Sequence, residues 1–167
     1  MIVYLVRHAP AEERQARRSD AARPLTEEGR SRMARAARGL AQEVGRNAVL
    51  LTSPLLRARQ TAEILRDALG HDRPRPPRLV VTETLSPPGD LEGFLALVRE
   101  AGGAEEDAVL AIGHEPCLSA WLGQLCFGRI GRCALRKGGA AALQFEAGAA
   151  TGQLLWLLQP RQLRALG

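Results

Sequence analysis

The sequence predicts an α/β protein with three layers (α/β/α), in which helices cover both faces of a mostly parallel central sheet. Three short, continuous apolar runs have the character of strands buried on both faces, and a segment with helical patterning follows each of them. Near the end of the chain, two strand patterns flank a glycine-rich turn and predict an antiparallel hairpin at the sheet edge. The 167 residues suffice for one substantial core, so we expect a single domain over residues 1–167.

The chain opens with a strand and a long helix. Residues 2–6 are the first apolar run and predict a buried strand. After a polar loop, the Thr26 hydroxyl can cap a helix whose first turn holds two glutamates, where the helix dipole favours carboxylates. Gly45 follows the last apolar residue at helical spacing and is expected to end this helix.

A second strand and helix follow directly. Ala48–Thr52 is the second apolar run and again predicts a buried strand. Ser53 and Pro54 then predict the N-cap and the first-turn proline of a helix that runs to about Leu69 and stops at Gly70. The next segment, residues 71–90, is rich in proline and contains one short strand pattern, LVVT.

The second half of the chain repeats the alternation and ends in the hairpin. Asp90 is expected to cap a third helix, whose apolar face consists of Leu91, Phe94, Leu95 and Val98. Ala108–Gly113 is the third buried strand, and residues 114–116 lead from it into a fourth helix. Residues 141–146 and 153–159 form the final pair of strands. In parallel sheets of this kind, reactive groups gather at the carboxyl ends of the strands.

The composition argues against nucleic-acid and membrane partners. The chain carries a formal charge of +5, but only Lys137 among its 23 basic residues is a lysine, the arginines are interleaved with acids, and aromatic residues make up 4%. No apolar run reaches the roughly 18 residues of a membrane span, and the N-terminus has no secretory signal. The three cysteines have the spacing of neither a disulfide framework nor a zinc site, so we expect reduced thiols and a cytoplasmic protein.

Chemically capable residues follow all three buried strands. Arg7 and His8 end the first strand, Arg57 lies about one turn into the helix after the second, and His114 follows the third. Parallel strands would bring these positions to one rim. Guanidinium groups offer planar pairs of donors to phosphate oxygens, and helix N-termini add unpaired N–H groups, so the set suits a phosphoryl group.

Each of these residues also has a simpler interpretation. In a chain with 22 arginines an Arg-His pair is expected often by chance, and His8 could be an ordinary core or loop histidine. Arg57 could be a solvated helix residue, and His114 could only cap the helix that follows it. The interpretation as a site is favoured because two of the three histidines fall at the ends of buried strands, whereas His71 lies in a proline-rich loop.

Four segments together resemble the histidine phosphatase superfamily, which has the phosphoglycerate mutase-like fold. They are VYLVRHA, RPLTEEG, SPLLRARQTAE and AIGHEP, in the order of the family and covering nearly the whole chain. The short length, without an inserted cap, is most similar to the SixA-type phosphohistidine phosphatases. One departure is Ala9, which stands where the first segment of the family usually has glycine.

The resemblance implies a role for each matching residue. His8 would be the nucleophile and would become transiently phosphorylated, while Arg7, Arg57 and His114 would bind the phosphoryl oxygens and stabilise their charge in the transition state. Arg23, in the RPLT segment, is a candidate additional ligand of these oxygens or a surface residue. Neither a metal nor a cofactor is expected, because the arginines supply the positive charge.

The general acid is left open between two carboxylates. Family members that cleave phosphate esters protonate the leaving oxygen, and Glu115, next to His114, and Glu83, after LVVT, are both candidates. Glu115 could instead be a helix N-terminal carboxylate that stays ionised. A phosphohistidine substrate would need only a weak acid or water, because imidazole with a protonated ring nitrogen is a good leaving group.

The missing cap predicts the substrate. The segment from residue 71 to 90 is too short and too rich in proline to build a lid, and an open site suits a phosphorylated side chain on a folded protein. We therefore expect a protein phosphohistidine phosphatase, with a histidine-containing phosphotransfer domain as one candidate partner and phosphate as product. The alternatives are a phosphatase of the same family that acts on a small phosphoester, and a non-catalytic phosphate- or phosphoprotein-binding module.

Overall fold

The computed structural model describes residues 1–17, 19–71, 73, 75–103, 108–129, 133–146 and 149–167. Within these ranges, six strands alternate with five α-helices along the chain. In chain order they are β1 (Ile2–Arg7), α1 (Glu27–Glu43), β2 (Ala48–Thr52), α2 (Leu56–Gly70), β3 (Arg78–Val81), α3 (Leu91–Gly103), β4 (Ala108–Gly113), α4 (Cys117–Phe127), β5 (Ala140–Phe145), β6 (Gly152–Leu158) and α5 (Pro160–Leu166). Short 3₁₀ turns lie at Asp20–Ala22 and Glu83–Leu85.

The strands form one sheet in the order β3-β2-β4-β1-β5-β6. The first four strands in this order run parallel to one another, whereas β5 is antiparallel to both β1 and β6. The predicted mostly parallel sheet with an antiparallel C-terminal hairpin is therefore confirmed. Residues 147–148 of the predicted hairpin turn lie outside the described residues.

Two apolar cores, one on each face of the sheet, explain why the strand sequences are continuously apolar. Alternate residues of a strand point to opposite faces, so a central strand must be apolar at every position when both faces are covered. Tyr4 and Val6 of β1 pack with residues of α1, α2 and α5, and Val3 and Leu5 pack with residues of α3 and α4. The predicted three layers are confirmed.

The predicted helix caps are confirmed at two helices and wrong at a third. Thr26 Oγ1 accepts a hydrogen bond from Gly29 N at 2.9 Å, and Asp90 Oδ1 accepts one from Gly93 N at 2.9 Å. The prediction that Ser53 and Pro54 begin α2 is wrong, because Leu55 is the N-cap residue. Ser53 stays with the sheet instead: its N–H donates to the Ile112 carbonyl at 3.1 Å.

The end of α1 agrees with the prediction, whereas the last helix was not predicted. Helix α1 ends at Glu43 with Val44 as its C-cap, so Gly45 lies directly after the cap, where a terminating glycine is expected. Helix α5 is absent from the predictions, since it is short and follows the last strand directly. It begins with Pro160 and packs on α1 at Gly39, where a Cβ atom would collide with the backbone of α5. Over the described residues, none of the helices combines the length and apolar character of a membrane crossing.

Candidate active site

The strand order places the functional residues side by side. Strands β1 and β2 both pair with β4, in a register that sets Arg7 beside Gly113 and Thr52 beside Ile112. The three carboxyl ends therefore open on the same rim of the sheet. There the ring centroids of His8 and His114 lie 5.0 Å apart. Both rings line a cavity of about 520 Å³, which Arg7 and Arg57 also line, so the four predicted residues come together.

His8 is held as a neutral imidazole in one tautomer. Its Nδ1 lies 2.7 Å from the carbonyl oxygen of Ala9. Because a carbonyl can only accept, Nδ1 carries the proton and the lone pair resides on Nε2. Burial of the ring lowers the pKa of His8 to about 3, and the positive charges of Arg57 and Arg7 act in the same direction. At neutral pH the unprotonated Nε2 is therefore available to attack an electrophile.

The two arginines are each tied to the protein by their terminal nitrogens. Arg7 donates from Nη1 to the Leu135 carbonyl at 2.7 Å. Arg57 donates from Nη1 to the Asp20 carbonyl at 2.9 Å and from Nη2 to Asp20 Oδ2 at 3.1 Å. In both side chains the Nε atom is buried and has no hydrogen-bond partner. Each guanidinium thus has a buried Nε–H without a hydrogen-bond partner.

His114, like the two arginines, has one nitrogen in contact with the protein and one buried nitrogen without a partner. Its Nε2 lies 2.9 Å from Ser53 Oγ, while its Nδ1 is buried and has no hydrogen-bond partner. Burial, together with the positive charge of Arg57, lowers the pKa of His114 to about 4, so the ring is neutral at pH 7. If the Ser53 hydroxyl donates to Nε2, the proton of the ring is on Nδ1 and this atom becomes a donor.

The unpaired atoms indicate where a ligand binds. Among the described residues, three buried side-chain nitrogen or oxygen atoms have no hydrogen-bond partner: Arg7 Nε, Arg57 Nε and His114 Nδ1. An unsatisfied buried polar group costs roughly 1–3 kcal/mol, so a cluster of such groups calls for an explanation. All three belong to residues around one cavity beside His8. The cavity is therefore the candidate site for an anion with several oxygens.

Arg23 also lines this cavity, at its rim. Its Nε donates to Asp20 Oδ1 at 3.1 Å and its Nη1 donates to the Glu12 carbonyl at 2.8 Å. The side chain is 16% exposed, so it is mostly buried in the loop that precedes α1. The structure therefore brings Arg23 to the site, where its contacts bind it to Asp20.

The two candidate acids are placed differently. Glu115 lines the cavity, but its carboxylate already accepts hydrogen bonds from Ser119 Oγ at 2.7 Å and from Leu135 N at 3.3 Å. Glu83 lies outside the cavity lining, is exposed, and accepts from Ser86 Oγ at 2.8 Å. The structure thus brings Glu115 to the site, where its carboxylate links α4 to the segment before β5. Glu83 is not among the described residues that line the cavity.

Sequence reasoning missed Asp20 and the contact of Ser53 with His114. Asp20 lies three residues before Arg23, and a lone acid among arginines was the one available signal. Ser53 had a plausible alternative role as a helix cap, which concealed its partner across the sheet. Lys137 also lines the cavity. Within the part of the chain that the structure describes, no three His, Cys, Asp or Glu side chains gather in a way that could hold a metal ion.

A neutral histidine with a free nitrogen, beside arginines and at the carboxyl edge of a parallel sheet, defines a class of α/β phosphoryl-transfer sites. Comparison with known proteins agrees. Residues 3–83 match the family model of the histidine phosphatase superfamily (branch 1). The chain is 32% identical to the phosphohistidine phosphatase SixA of Escherichia coli strain K12, over 98% of this chain and 97% of that protein. The chain belongs to the histidine phosphatase superfamily, whose members are phosphatase hydrolases.

Two further proteins are similar to this chain. An uncharacterized protein of Picosynechococcus is 40% identical, over 86% of this chain and 85% of that protein. The structure of the protein histidine phosphatase SixA complexed with tungstate superposes with a TM-score of 0.83 at 29% identity, covering 98% of this chain and 99% of that one. The resemblance seen in the sequence and the phosphoglycerate mutase-like fold are therefore confirmed.

Proposed function

We propose that this protein removes the phosphoryl group from phosphohistidine on a protein substrate, through a covalent intermediate on His8. The observation that carries the proposal is the free Nε2 of His8, in a cavity that Arg7, Arg57 and His114 also line, each with one buried nitrogen that has no hydrogen-bond partner. A nucleophile and a set of oxyanion donors thus border one cavity.

The reaction divides into two displacements at phosphorus. In the first, the lone pair on His8 Nε2 forms a bond to phosphorus while the bond from phosphorus to the substrate nitrogen breaks, and the electron pair of that bond leaves with the substrate imidazole. In the second, water attacks the phosphoryl group on His8, releases inorganic phosphate and returns the imidazole to its neutral form, with the extra proton going to solvent. Nδ1 of His8 keeps its proton on the Ala9 carbonyl throughout.

The three unpaired donors stabilise the transition state. Phosphoryl transfer spreads negative charge over three equatorial oxygens, and fixed donors aimed at these oxygens lower the barrier. Arg7 and Arg57 contribute guanidinium charge, and His114 contributes Nδ1–H when Ser53 donates to its Nε2. This chemistry requires no metal, so we infer that the enzyme is metal-independent.

The carboxylates of the cavity favour a phosphoramidate as substrate. Asp20 and Glu115 are the carboxylates among the described lining residues, and both are engaged: Asp20 by arginines, Glu115 by Ser119 and Leu135. An ester would need an acid to protonate its leaving oxygen. An imidazole that carries a proton on its other ring nitrogen leaves without such help.

Access to the cavity favours a phosphorylated side chain on a protein. Between α2 and α3, the described part of the chain contains only the four-residue strand β3 and the 3₁₀ turn Glu83–Leu85. Neither element is long enough to form a helical lid over the cavity. A histidine side chain that projects from a folded partner could therefore reach His8. The phosphohistidine phosphatase SixA of Escherichia coli, a relative over nearly its full length, is consistent with this substrate.

A phosphatase for a small phosphoester is the second candidate, because Glu115 does line the cavity and could serve as a proton donor. The test compares turnover of a phosphorylated histidine-containing phosphotransfer domain with turnover of a panel of sugar phosphates and nucleotides. We expect the phosphoprotein to have the highest kcat/KM. Faster turnover of a small ester, lost in Glu115→Gln, would establish the second candidate instead.

A further inference from the structure

Asp20 lies at the centre of a cluster of arginines beside the cavity. Its Oδ1 accepts from Arg14 Nε at 3.0 Å and from Arg23 Nε at 3.1 Å, and its Oδ2 accepts from Arg57 Nη2 at 3.1 Å. Its backbone carbonyl accepts from Arg57 Nη1 at 2.9 Å. Asp20 therefore contacts Arg57 with both its side chain and its backbone, and two further arginines hold the carboxylate in place.

These two contacts determine where the remaining donor of Arg57 points. The guanidinium group is planar, so binding Nη1 and Nη2 at two separate oxygens fixes the plane and the direction of Nε–H. This Nε is buried and unpaired, and Arg57 as a whole is 4% exposed. Asp20 thus binds Nη1 and Nη2 of the guanidinium and leaves Nε–H available to another ligand.

The negative charge of Asp20 repels an incoming anion, although its hydrogen bonds orient Arg57 toward the cavity. The hydrogen bond from Arg14 and the nearby Arg57 and Arg23 lower the pKa of Asp20 to about 2, so the carboxylate is ionised at neutral pH. A fixed negative charge next to the arginines weakens the attraction of the pocket for phosphate. A residue that only helped to bind phosphate would not carry this charge. A residue that orients a donor for the transition state can tolerate the loss of ground-state affinity.

We infer that Asp20 is a positioning residue, which orients Arg57 Nε toward the phosphoryl group in the transition state while opposing the binding of phosphate in the ground state. This inference rests on the proposed function, because it assumes that Arg57 stabilises phosphoryl transfer. It assigns the loop before α1 an indirect part in catalysis, through Arg57, since the loop carries both Asp20 and the two arginines that hold its carboxylate.

The test separates kcat from phosphate affinity in Asp20→Ala and Asp20→Asn. Loss of an outer residue that orients an active-site group costs about 10- to 100-fold, so we expect kcat on the phosphorylated phosphotransfer domain to fall by about this factor in Asp20→Ala. Asp20→Asn keeps the backbone contact and an amide oxygen for Arg57, so its loss should be smaller. Titration with inorganic phosphate should show equal or tighter binding in both variants, because each removes a negative charge.

Glu13→Gln is the matched control, because it makes the same change in net charge on an exposed residue of the same loop. It should leave both kcat and phosphate affinity unchanged. Unchanged kcat in Asp20→Ala, with or without tighter phosphate binding, would overturn the inference. So would a parallel loss of kcat and of phosphate affinity, since that pattern means a general loss of site structure. The wild-type enzyme, measured in parallel, tests the proposed function separately: if it fails to turn over the phosphoprotein, the proposed function itself is wrong.

Discussion

The Oγ atom of Ser53, at the end of β2, lies 2.9 Å from Nε2 of His114, at the end of β4. Both residues are almost completely buried, so water does not compete for this hydrogen bond. The neighbouring Ser86 donates its own proton to Glu83 at 2.8 Å, and its oxygen lies 3.4 Å from Ser53 Oγ. Because the contact with His114 Nε2 is shorter than the contact with Ser86 Oγ, we expect the Ser53 hydroxyl to donate its proton to His114. With Ser53 as the donor, the proton of the His114 ring lies on Nδ1.

Replacing Ser53 by alanine should therefore impair catalysis more than folding. Without the hydroxyl, the ring of His114 can place its proton on either nitrogen, and we expect kcat to fall about 10-fold or more, as for other residues that orient an active-site histidine. Nitrogen-15 NMR of the imidazole should show Nδ1–H in the wild type and a mixture of tautomers in Ser53→Ala. Ser31→Ala, on an exposed position of α1, is the control and should change neither quantity. A wild-type signal from Nε2–H would contradict this assignment.

Stability should decline as the pH falls below about 6.5. The folded-state pKa is lowered from 6.5 to about 3 for His8 and to about 4 for His114. Between these values and 6.5, the unfolded chain binds protons that the folded chain does not, so protonation favours unfolding. The stabilising contribution is complete above pH 6.5 and is lost progressively toward pH 3.

The measurement is urea denaturation at pH 7 and at pH 4.5. The free energy of unfolding should fall by several kcal/mol between these values, since each pKa unit corresponds to about 1.4 kcal/mol. The decrease should be clearly smaller in a variant that lacks both His8 and His114. His71→Ala, in the loop after α2, should retain the wild-type dependence. An equal decrease in all three proteins would show that other groups govern it.

Glu115→Gln should lower stability while leaving phosphohistidine turnover largely intact. The carboxylate accepts from Ser119 Oγ and N and from Leu135 N, and hydrogen bonds to a charged group contribute about 1.5–3 kcal/mol each. Thermal unfolding should detect the loss, and kcat on the phosphoprotein should change by less than about 3-fold because the proposed leaving group needs no acid. A loss of about 100-fold or more in kcat would identify Glu115 as the general acid.

Chelation should not affect the activity. The positive charges of Arg7 and Arg57 would neutralise the charge of the phosphoryl group, as a metal ion does in other phosphoryl-transfer enzymes. We therefore expect the same kcat/KM before and after dialysis against a chelator, with and without added Mg²⁺. A loss of activity that a divalent ion restores would show that the arginines are insufficient.

The sequence was informative where long-range geometry follows from topology. Parallel strands must open at one edge, and the apolar character of residues 2–6, Ala48–Thr52 and Ala108–Gly113 identified those strands. The pattern of apolar runs was therefore sufficient to predict that His8 and His114 lie on the same edge of the sheet, whereas their 5.0 Å separation depends on the pairing of β1 with β4. The pattern of apolar runs does not predict the contacts of residues in loops. Asp20 meets Arg57 because of a short turn in the loop before α1, which no periodic pattern encodes.

Predictions based on neighbouring residues failed where a side chain could contact either a nearby residue or one from a distant part of the chain. Ser53 followed by proline is a good helix cap by composition, yet its hydroxyl contacts a histidine from a distant part of the chain. Glu115 follows the candidate-site residue His114 and was a candidate acid, but its carboxylate also contacts Ser119, one turn further along, and Leu135 from another segment. In each case the fold contributes a partner that residues adjacent in the sequence do not reveal.

The most direct test of the central claim is to trap the phosphorylated enzyme. The protein is mixed with a phosphotransfer domain labelled on histidine with radioactive phosphate, and the reaction is stopped with denaturant at alkaline pH within milliseconds to seconds. We predict label on the enzyme that is stable to base, labile to acid and located on His8, and that is absent from His8→Ala, with His71→Ala labelled as the wild type. Turnover of the substrate by His8→Ala at the wild-type rate, or label on another residue, would contradict a covalent intermediate on His8.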